Sequence, residues 1–240
     1  MSRKRLLLAF ALVSAFLASS ATLANAAAVW SVVTVRVEGD ETAWLDLVKQ
    51  ASVIRKQLGV PTVSVVQATF AGESTGLFYV STEYPSLAAL GEASDKLTGD
   101  AHFQAVLKQL QALGTLEASS LYVDRTPAGA LPTPITPGGY STGLIVRAGG
   151  DPAAYLGLLP RLTANFARLG VSVPRIWQAT SAGTGTGAIL ITTAQSSLAA
   201  LEEGQKKTDA DAEVQALVRE FEATGRHVVA RIIVRDRTPR

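Results

Sequence analysis

The side chains that could do chemistry in this sequence are few, and the most suggestive of them occur twice. A cation, an amide and a hydroxyl recur 111 residues apart, as Arg36 and Arg147, Gln67 and Gln178, and Thr69 and Thr180. Guanidinium and amide groups donate hydrogen bonds to anionic or carbonyl-bearing ligands. Strand alternation places each trio on one sheet face, so the two sets are candidates for a shared ligand-binding interior. The alternative is that these groups have a structural role and hydrogen-bond to one another across the boundary between the two copies of the repeated sequence.

A second candidate site is apolar. Trp44, Phe78 and Trp177 are expected to line pockets between sheet and helices. When the two copies are aligned, Trp177 of the second copy corresponds to Val66 of the first, and Tyr155 corresponds to Trp44. The two pockets would therefore differ. The alternative is that these aromatic side chains are ordinary core residues.

The numbers of histidine and cysteine residues limit the other kinds of chemistry that the chain can perform. The sequence has two histidines, His102 and His227, and no cysteine. The two imidazoles occupy different positions of the repeat, which excludes a histidine-cluster metal site, and neither has a serine and an acid at a diagnostic spacing. Without thiols there is no cysteine nucleophile and no iron–sulfur ligation. We therefore expect no cofactor and no metal, and the sequence leans away from catalysis.

The elements that must position these residues are duplicated. Three segments recur in the same order, at an offset of 111 that becomes 112 near the end, namely Gln67–Thr69 at Gln178–Thr180, Ser86–Leu90 at Ser197–Leu201, and Asp124–Pro127 at Asp236–Pro239. A segment rich in proline and glycine separates the copies and is expected to be an extended linker. The predicted units are 27–127 and 141–240, joined by a linker at 128–140.

Each copy has the pattern of a βαββαβ unit. In the first copy, β-branched residues predict a strand at 32–37, and an amphipathic helix follows the capping residue Asp40. In the second copy, Asp151 is the predicted cap of the equivalent helix. The second helical region of the first copy is interrupted at 98–100. This order predicts an α+β class in which each unit is ferredoxin-like, with both helices on one sheet face.

Such a sheet leaves its other face bare, and packing the two bare faces together would give a barrel with pseudo-two-fold symmetry. The sequence here resembles the dimeric α+β barrel superfamily, which includes antibiotic-biosynthesis-monooxygenase-like and NIPSNAP-like proteins. The resemblance is carried by Ser86–Leu90, by Asp100–Gln104 and by Leu113-Gly114, and it covers nearly the whole chain after the first 26 residues as two fused copies. It implies two ferredoxin-like units packed sheet to sheet as an intramolecular barrel. Relatives that bind haem use an axial histidine, which makes His102 and His227 the residues to check.

The first 26 residues predict export. A basic run at Arg3–Arg5 precedes an apolar stretch at Leu6–Leu17, and Ala24-Asn25-Ala26 has the small-x-small pattern of a cleavage site. Cleavage near Ala26 would leave a periplasmic or secreted protein with no stable membrane anchor; a retained N-terminal anchor is the alternative. The net charge of the chain is +2, and the three cations of the signal account for it, so the mature part carries about −1. Because its cations are scattered among acids, nucleic acid is not an expected partner.

These observations predict an exported barrel that is non-catalytic or binds a small molecule. One alternative is a cofactor-independent, monooxygenase-like enzyme acting on a small aromatic or polyphenolic substrate, which the resemblance implies. A haem-binding barrel is a second alternative. Exposed edge strands make a homo-oligomer possible.

Overall fold

The computed structural model describes residues 27–149 and 152–240. The predicted signal segment and the predicted cap Asp151 lie outside the described residues. Within the described ranges, none of the helices has the length and apolar character needed to cross a membrane.

Among the described residues, each half has four strands and three α-helices. The first half contains β1 (Val29–Val37), α1 (Glu41–Gln57), β2 (Ser64–Phe70), β3 (Phe78–Tyr84), α2 (Leu87–Gly99), α3 (Ala101–Leu113) and β4 (Gly114–Asp124). The second half contains β5 (Tyr140–Arg147), α4 (Pro152–Arg168), β6 (Arg175–Ser181), β7 (Ile189–Gln195), α5 (Leu198–Ala210), α6 (Ala212–Ala223) and β8 (His227–Asp236). The predicted break in the second helical region is the junction between α2 and α3. There Asp100 caps α3 by accepting the amide of Phe103 at 2.7 Å.

The duplicated Ser-Leu-Ala-Ala-Leu segments start equivalent helices. Ser86 accepts the amide of Ala89 at 3.1 Å, and Ser197 accepts the amide of Ala200 at 3.1 Å. A serine hydroxyl at this position satisfies one of the amides that the first turn leaves without a partner. The repeat therefore encodes helix N-caps that set where α2 and α5 leave the sheet.

The eight strands form one closed antiparallel barrel in the order β1-β3-β2-β8-β5-β7-β6-β4. Each half contributes a four-stranded sheet, and the two sheets join edge to edge at the β4–β6 and β2–β8 seams. The structure confirms the predicted intramolecular dimeric α+β barrel, built from two ferredoxin-like halves. The opposed sheet faces enclose an interior between them.

The helices pack on the outer face of the barrel and bury most of the core there. Trp44 and Val48 of α1 pack on Val65 and Phe78 of the first half. In the second half the corresponding cluster is larger, comprising Val146, Tyr155, Leu159, Leu162, Ile176, Ile189, Ile191, Leu217 and Phe221. Because these clusters fill the space between sheets and helices, the open space of the molecule lies inside the barrel.

The duplicated Asp-Arg-Thr-Pro segments fasten each half to the other. Thr126 accepts the amide of Ile176 at 3.0 Å, and Thr238 accepts the amide of Val65 at 3.0 Å. The aspartate that opens each motif accepts the amide of its threonine, at 2.8 Å in the first copy and 3.2 Å in the second. We call these two segments the seam clasps. They fix the last strand of one half against the hairpin of the other.

Candidate functional site

The inner face of the barrel surrounds a cavity of about 850 Å3. This volume lies well above the roughly 300 Å3 at which small-molecule sites begin. The linker between the halves lines one end of it through Pro127, Ala130, Pro132, Thr133, Pro134 and Ile135. Thr133 ties this segment to the barrel, because its amide donates to the carbonyl of Val173 and its hydroxyl accepts the amide of Val173, both at 3.1 Å.

Three aromatic side chains form a stack on one wall of the cavity. The ring centroids of Trp30 and Trp177 are 4.9 Å apart with an interplanar angle of 20°, and Trp30 lies 5.5 Å from Tyr122. Trp30 belongs to β1, Tyr122 to the adjacent β4, and Trp177 to β6 across the seam. The stack therefore exists only because the two halves join at the β4–β6 seam.

A charged triad adjoins the stack. The guanidinium of Arg175 lies 4.3 Å from the ring centroid of Trp177 and contacts Asp124 at 3.0 Å. It also makes a two-pronged contact with Glu83, of which one prong is 2.6 Å long. Burial lowers the pKa of Arg175, but hydrogen bonds to Glu83 and Asp124 outweigh burial and raise the pKa above its ordinary value. The guanidinium therefore stays charged and fixed beside the indole.

Two phenols add polar groups to the cavity wall. Burial raises the pKa of both Tyr79 and Tyr122 above 10.0, although hydrogen bonds from nearby serines oppose the shift. Both phenols are therefore neutral at physiological pH and able to donate a hydrogen bond. The rest of the lining includes aliphatic side chains, among them Val32, Val66, Ile145, Leu190, Ile232 and Val234.

The opposite seam lacks this arrangement, although the halves share one fold. The residues that take the corresponding positions are small or aliphatic: Ser141 for Trp30, Val234 for Tyr122, Val66 for Trp177, Ser64 for Arg175, and Ala194 for Glu83. Among the described residues the charged groups of the cavity, and its aromatic groups other than Tyr79 on β3, thus gather at the β4–β6 seam. We take this seam as the candidate functional site.

The structure places the predicted aromatic residues in two different environments. Trp177 lines the cavity. Trp44 instead packs in the core against Phe78, with ring centroids 5.0 Å apart. The expectation that Trp177 lines a pocket between sheet and helices is therefore wrong. Its neighbour Ile176 takes the helix-facing position, so strand alternation turns the indole inward.

The duplicated polar residues are not brought together. Arg36 makes an exposed ion pair with Glu117 at 2.8 Å. Gln67 is in register with Phe78, which packs on α1, and so faces the helices. The Cα partner of Phe78 on β1 is Val35, so the next residue, Arg36, points to the other side of the sheet. The trio thus does not share one face, because alternation within single strands does not give the register between them.

The glutamines take part in the seams instead. Gln67 accepts a hydrogen bond from Arg237 at 2.8 Å, and Gln178 accepts one from Arg125 at 2.9 Å. These bonds cross the seams, but the partner of each glutamine is a guanidinium of a seam clasp and not another member of the duplicated set. Whether the glutamines also contact a ligand stays a prediction.

The remaining members of the set hydrogen-bond to backbone carbonyls, in the case of Thr180 across the β4–β6 seam. Thr180 donates to the carbonyl of Leu121 at 3.1 Å, and Thr69 reaches the carbonyl of Gln67 at 3.5 Å. Arg147 donates to the carbonyl of Thr184. Together with the glutamines and Arg36, these residues lie outside the lining of the cavity. Their role in ligand binding likewise stays a prediction.

Neither histidine reaches the cavity. His102 is exposed on the first turn of α3, beside a surface depression of about 340 Å3, and His227 is exposed at the start of β8. The described residues that line the cavity include no histidine, cysteine or methionine, so neither predicted histidine could serve there as an axial haem ligand. Among the described residues no cluster of three or more histidine, aspartate or glutamate side chains is placed to hold a metal ion.

Most residues of the candidate site escaped the sequence analysis. Trp30, Tyr122, Arg175, Glu83 and Asp124 were not predicted, because the polar candidates were limited to groups repeated in both copies. Apart from Asp124, all of them occupy positions at which the copies differ. A site that occurs only once in a duplicated chain depends on residues that differ between the two copies. A comparison of the copies, position by position, would therefore have indicated these residues.

The structure is similar to solved structures of known description. A candidate monooxygenase from Fusobacterium nucleatum aligns with a TM-score of 0.59 and 10% identity, covering 88% of this chain and 93% of that one. An anthrone oxidase-like protein aligns with a TM-score of 0.52 and 14% identity, covering 87% and 91%. A mutant chlorite dismutase from Candidatus Nitrospira defluvii aligns with a TM-score of 0.53 and 10% identity, covering 87% and 91%.

No family model and no curated protein matches the sequence of this chain. The structural likeness establishes the class of the molecule: its fold is that of the dimeric α+β barrel proteins. At these identities the likeness concerns the fold alone, and one fold of this kind hosts many activities. Function must therefore be argued from the cavity.

Proposed function

We propose that this chain binds one small planar aromatic molecule inside the barrel, against the stack of Trp30, Tyr122 and Trp177. The observation that carries this proposal is the stack itself, which spans the β4–β6 seam in a cavity of about 850 Å3. Aromatic contacts of this geometry contribute about 0.5–1.5 kcal/mol each beyond the area they bury. A flat ligand that adds a further aromatic contact to this group would gain energy of this order and would also bury its own apolar surface.

The polar groups of the lining give the ligand an orientation. Tyr79 and Tyr122 are neutral donors, suited to a carbonyl or hydroxyl oxygen on the ligand. The aliphatic wall formed by residues such as Leu190 and Ile232 belongs to the second half of the barrel and suits the apolar edge of a ring system. The proposed ligand is therefore aromatic, with polar oxygen at one edge only.

The first test is binding of 9-anthracenemethanol, a neutral three-ring probe that accepts energy from tryptophan fluorescence. We expect saturable energy transfer in the wild-type protein and an affinity about 10- to 100-fold lower in Trp177→Ala, because a buried aromatic contact of this kind dominates binding energy. Trp44→Phe is the matched control, since this tryptophan packs in the core outside the cavity. Equal affinity in Trp177→Ala and the wild type would contradict the proposal.

A second candidate function is turnover of a bound aromatic substrate in the manner of a cofactor-independent monooxygenase. It is favoured by the phenols and carboxylates that line the cavity, and by the fold shared with proteins described as a candidate monooxygenase and as anthrone oxidase-like. It predicts oxygen consumption with a polyphenolic or quinol-like substrate, abolished by Trp177→Ala. An unchanged rate in that variant, or no consumption by the wild type, would remove this candidate.

Two further proposals rest on the sequence. The pattern of residues 1–26 supports export, and it predicts a mature protein that begins near Ala27, which mass spectrometry of the exported fraction would test. Haem binding would need His102 or His227, both exposed. A haem titration that produces no Soret band would end this alternative.

A further inference from the structure

The charges that line the cavity do not balance. Three charged side chains line it: Glu83, Asp124 and Arg175. Two carboxylates thus face one guanidinium. Arg175 is already engaged by both acids, so the cavity offers no free cation to a ligand.

The groups that contact Arg175 are of the kinds that bind cations. Its guanidinium lies against the face of Trp177 and between the carboxylates of Glu83 and Asp124. An aromatic face combined with carboxylates is the chemistry that binds ammonium and guanidinium groups on ligands. Arg175 neutralises only one of the two acids, and the second negative charge is left for another cation to balance.

The exposure of these groups places the excess charge where a ligand can reach it. The side chain of Glu83 is 45% exposed, that of Arg175 31% and that of Asp124 20%. Asp124 is further held by the amide of Thr126 at 2.8 Å. Glu83, with the most exposed side chain, is therefore the acid nearest to solvent and the one most able to meet a second cation.

We propose that this seam makes the cavity selective for charge, so that it accepts aromatic ligands bearing an ammonium group and rejects aromatic carboxylates. The inference rests on the proposed function, since it names the class of ligand for that same site. A ligand anion would stand beside two carboxylates, and its attraction to Arg175 would compete with ion pairs that already exist. A ligand cation instead brings the net charge of the lining to zero.

The test compares three probes with one ring system and different charges at pH 7. They are 9-anthracenemethanol, which is neutral, 9-(aminomethyl)anthracene, which is a cation, and anthracene-9-carboxylate, which is an anion. We expect the wild-type protein to bind the cation about tenfold or more tighter than the anion, with the neutral probe between them, because partly buried charges interact more strongly than charges in water. The ratio should shrink as salt is added, since salt screens the contribution of exposed charge.

Glu83→Gln removes the excess negative charge and should bring the cation-to-anion ratio close to one. Glu117→Gln is the matched control: this carboxylate is ion-paired with Arg36 and lies outside the cavity lining, so the ratio should stay at the wild-type value. Circular dichroism of both variants verifies that the barrel is retained.

Two outcomes separate the claims. If the neutral probe binds but the anion binds as tightly as the cation, or if Glu117→Gln alters the ratio as much as Glu83→Gln, the charge selectivity is wrong while the aromatic site stands. If the neutral probe fails to bind, the proposed function is wrong and the inference falls with it.

Discussion

Tyr155 and Tyr84 are both buried tyrosines, but their hydroxyls differ in the hydrogen bonds that they make. The hydroxyl of Tyr84 accepts a hydrogen bond from Arg55 at 3.0 Å. Among the described residues the hydroxyl of Tyr155 is buried without a well-formed hydrogen bond, although the guanidinium of Arg226 lies close enough to lower its pKa. A buried polar group without a partner lowers stability because it has lost its bonds to water.

This contrast predicts that replacing tyrosine with phenylalanine affects the free energy of unfolding differently at the two positions. Tyr155→Phe should leave the free energy of unfolding unchanged or raise it by up to about 2 kcal/mol, because it removes an unsatisfied hydroxyl. Tyr84→Phe should lower it by about 1–2 kcal/mol, since the guanidinium of Arg55 loses a partner. Urea denaturation measures both. Destabilisation by Tyr155→Phe equal to that by Tyr84→Phe would contradict the assignment.

The same hydroxyl makes stability depend on pH. Burial raises the pKa of Tyr155 to about 12, and the nearby charge of Arg226 lowers it only in part. Because the folded-state pKa is higher than the unfolded value, the associated stability is present below about pH 10 and is lost as the pH rises towards 12. The free energy of unfolding should fall more steeply across that window in the wild type than in Tyr155→Phe. Parallel curves for the two proteins would contradict the prediction.

At the scale of the elements, the seam clasps explain why the Asp-Arg-Thr-Pro segment occurs in both halves. Thr126 and Thr238 satisfy strand amides of the opposite half. Replacing either with valine should lower the free energy of unfolding by about 1–3 kcal/mol, because a strand amide loses its acceptor. The control is Thr69→Val, whose hydroxyl reaches only a carbonyl at 3.5 Å. Chemical denaturation of the three variants measures the effect, and a control as unstable as the clasp variants would contradict it.

Sequence patterns predicted the helices and strands well, but they did not predict which residues meet at the seams between the halves. The cap at Asp40 and the apolar stripe of α1 are local features, so they were visible in the sequence. Which residues face inward depends on register and on the pairing of strands from different halves. Trp177 was therefore assigned to the wrong pocket, and Arg175 was not recognised, because its acidic partners lie on β3 and β4 of the other half.

At the scale of the whole molecule, β4 and β8 each keep a long open edge among the described residues. Residues 114–120 of β4 and 227–232 of β8 pair with a neighbouring strand on one side only. Both strands carry a bulge residue there, which is Glu117 in β4 and Val229 in β8. A charged residue protects an edge from pairing with another chain, whereas Val229, 56% exposed, does not.

This difference predicts which edge a homo-oligomer of this chain would use. Two copies of the chain can pair their β8 edges antiparallel about a two-fold axis. Val229→Glu, which copies the residue of the other half, should shift self-association to higher protein concentration in sedimentation velocity, and Glu117→Gln should not. Self-association that is the same in Val229→Glu and in the wild type would exclude this edge.

The central claim is that the ligand binds inside the barrel and not between the sheets and the helices. The three tryptophans report on both places, because Trp30 and Trp177 line the cavity while Trp44 lies in the core under α1. Their indole N–H groups give separate signals in a nitrogen–proton correlation spectrum, assigned with single Trp→Phe variants. Titration with 9-anthracenemethanol should move the signals of Trp30 and Trp177 and leave that of Trp44 in place. Movement of the Trp44 signal alone would contradict the account and put the ligand between sheet and helices.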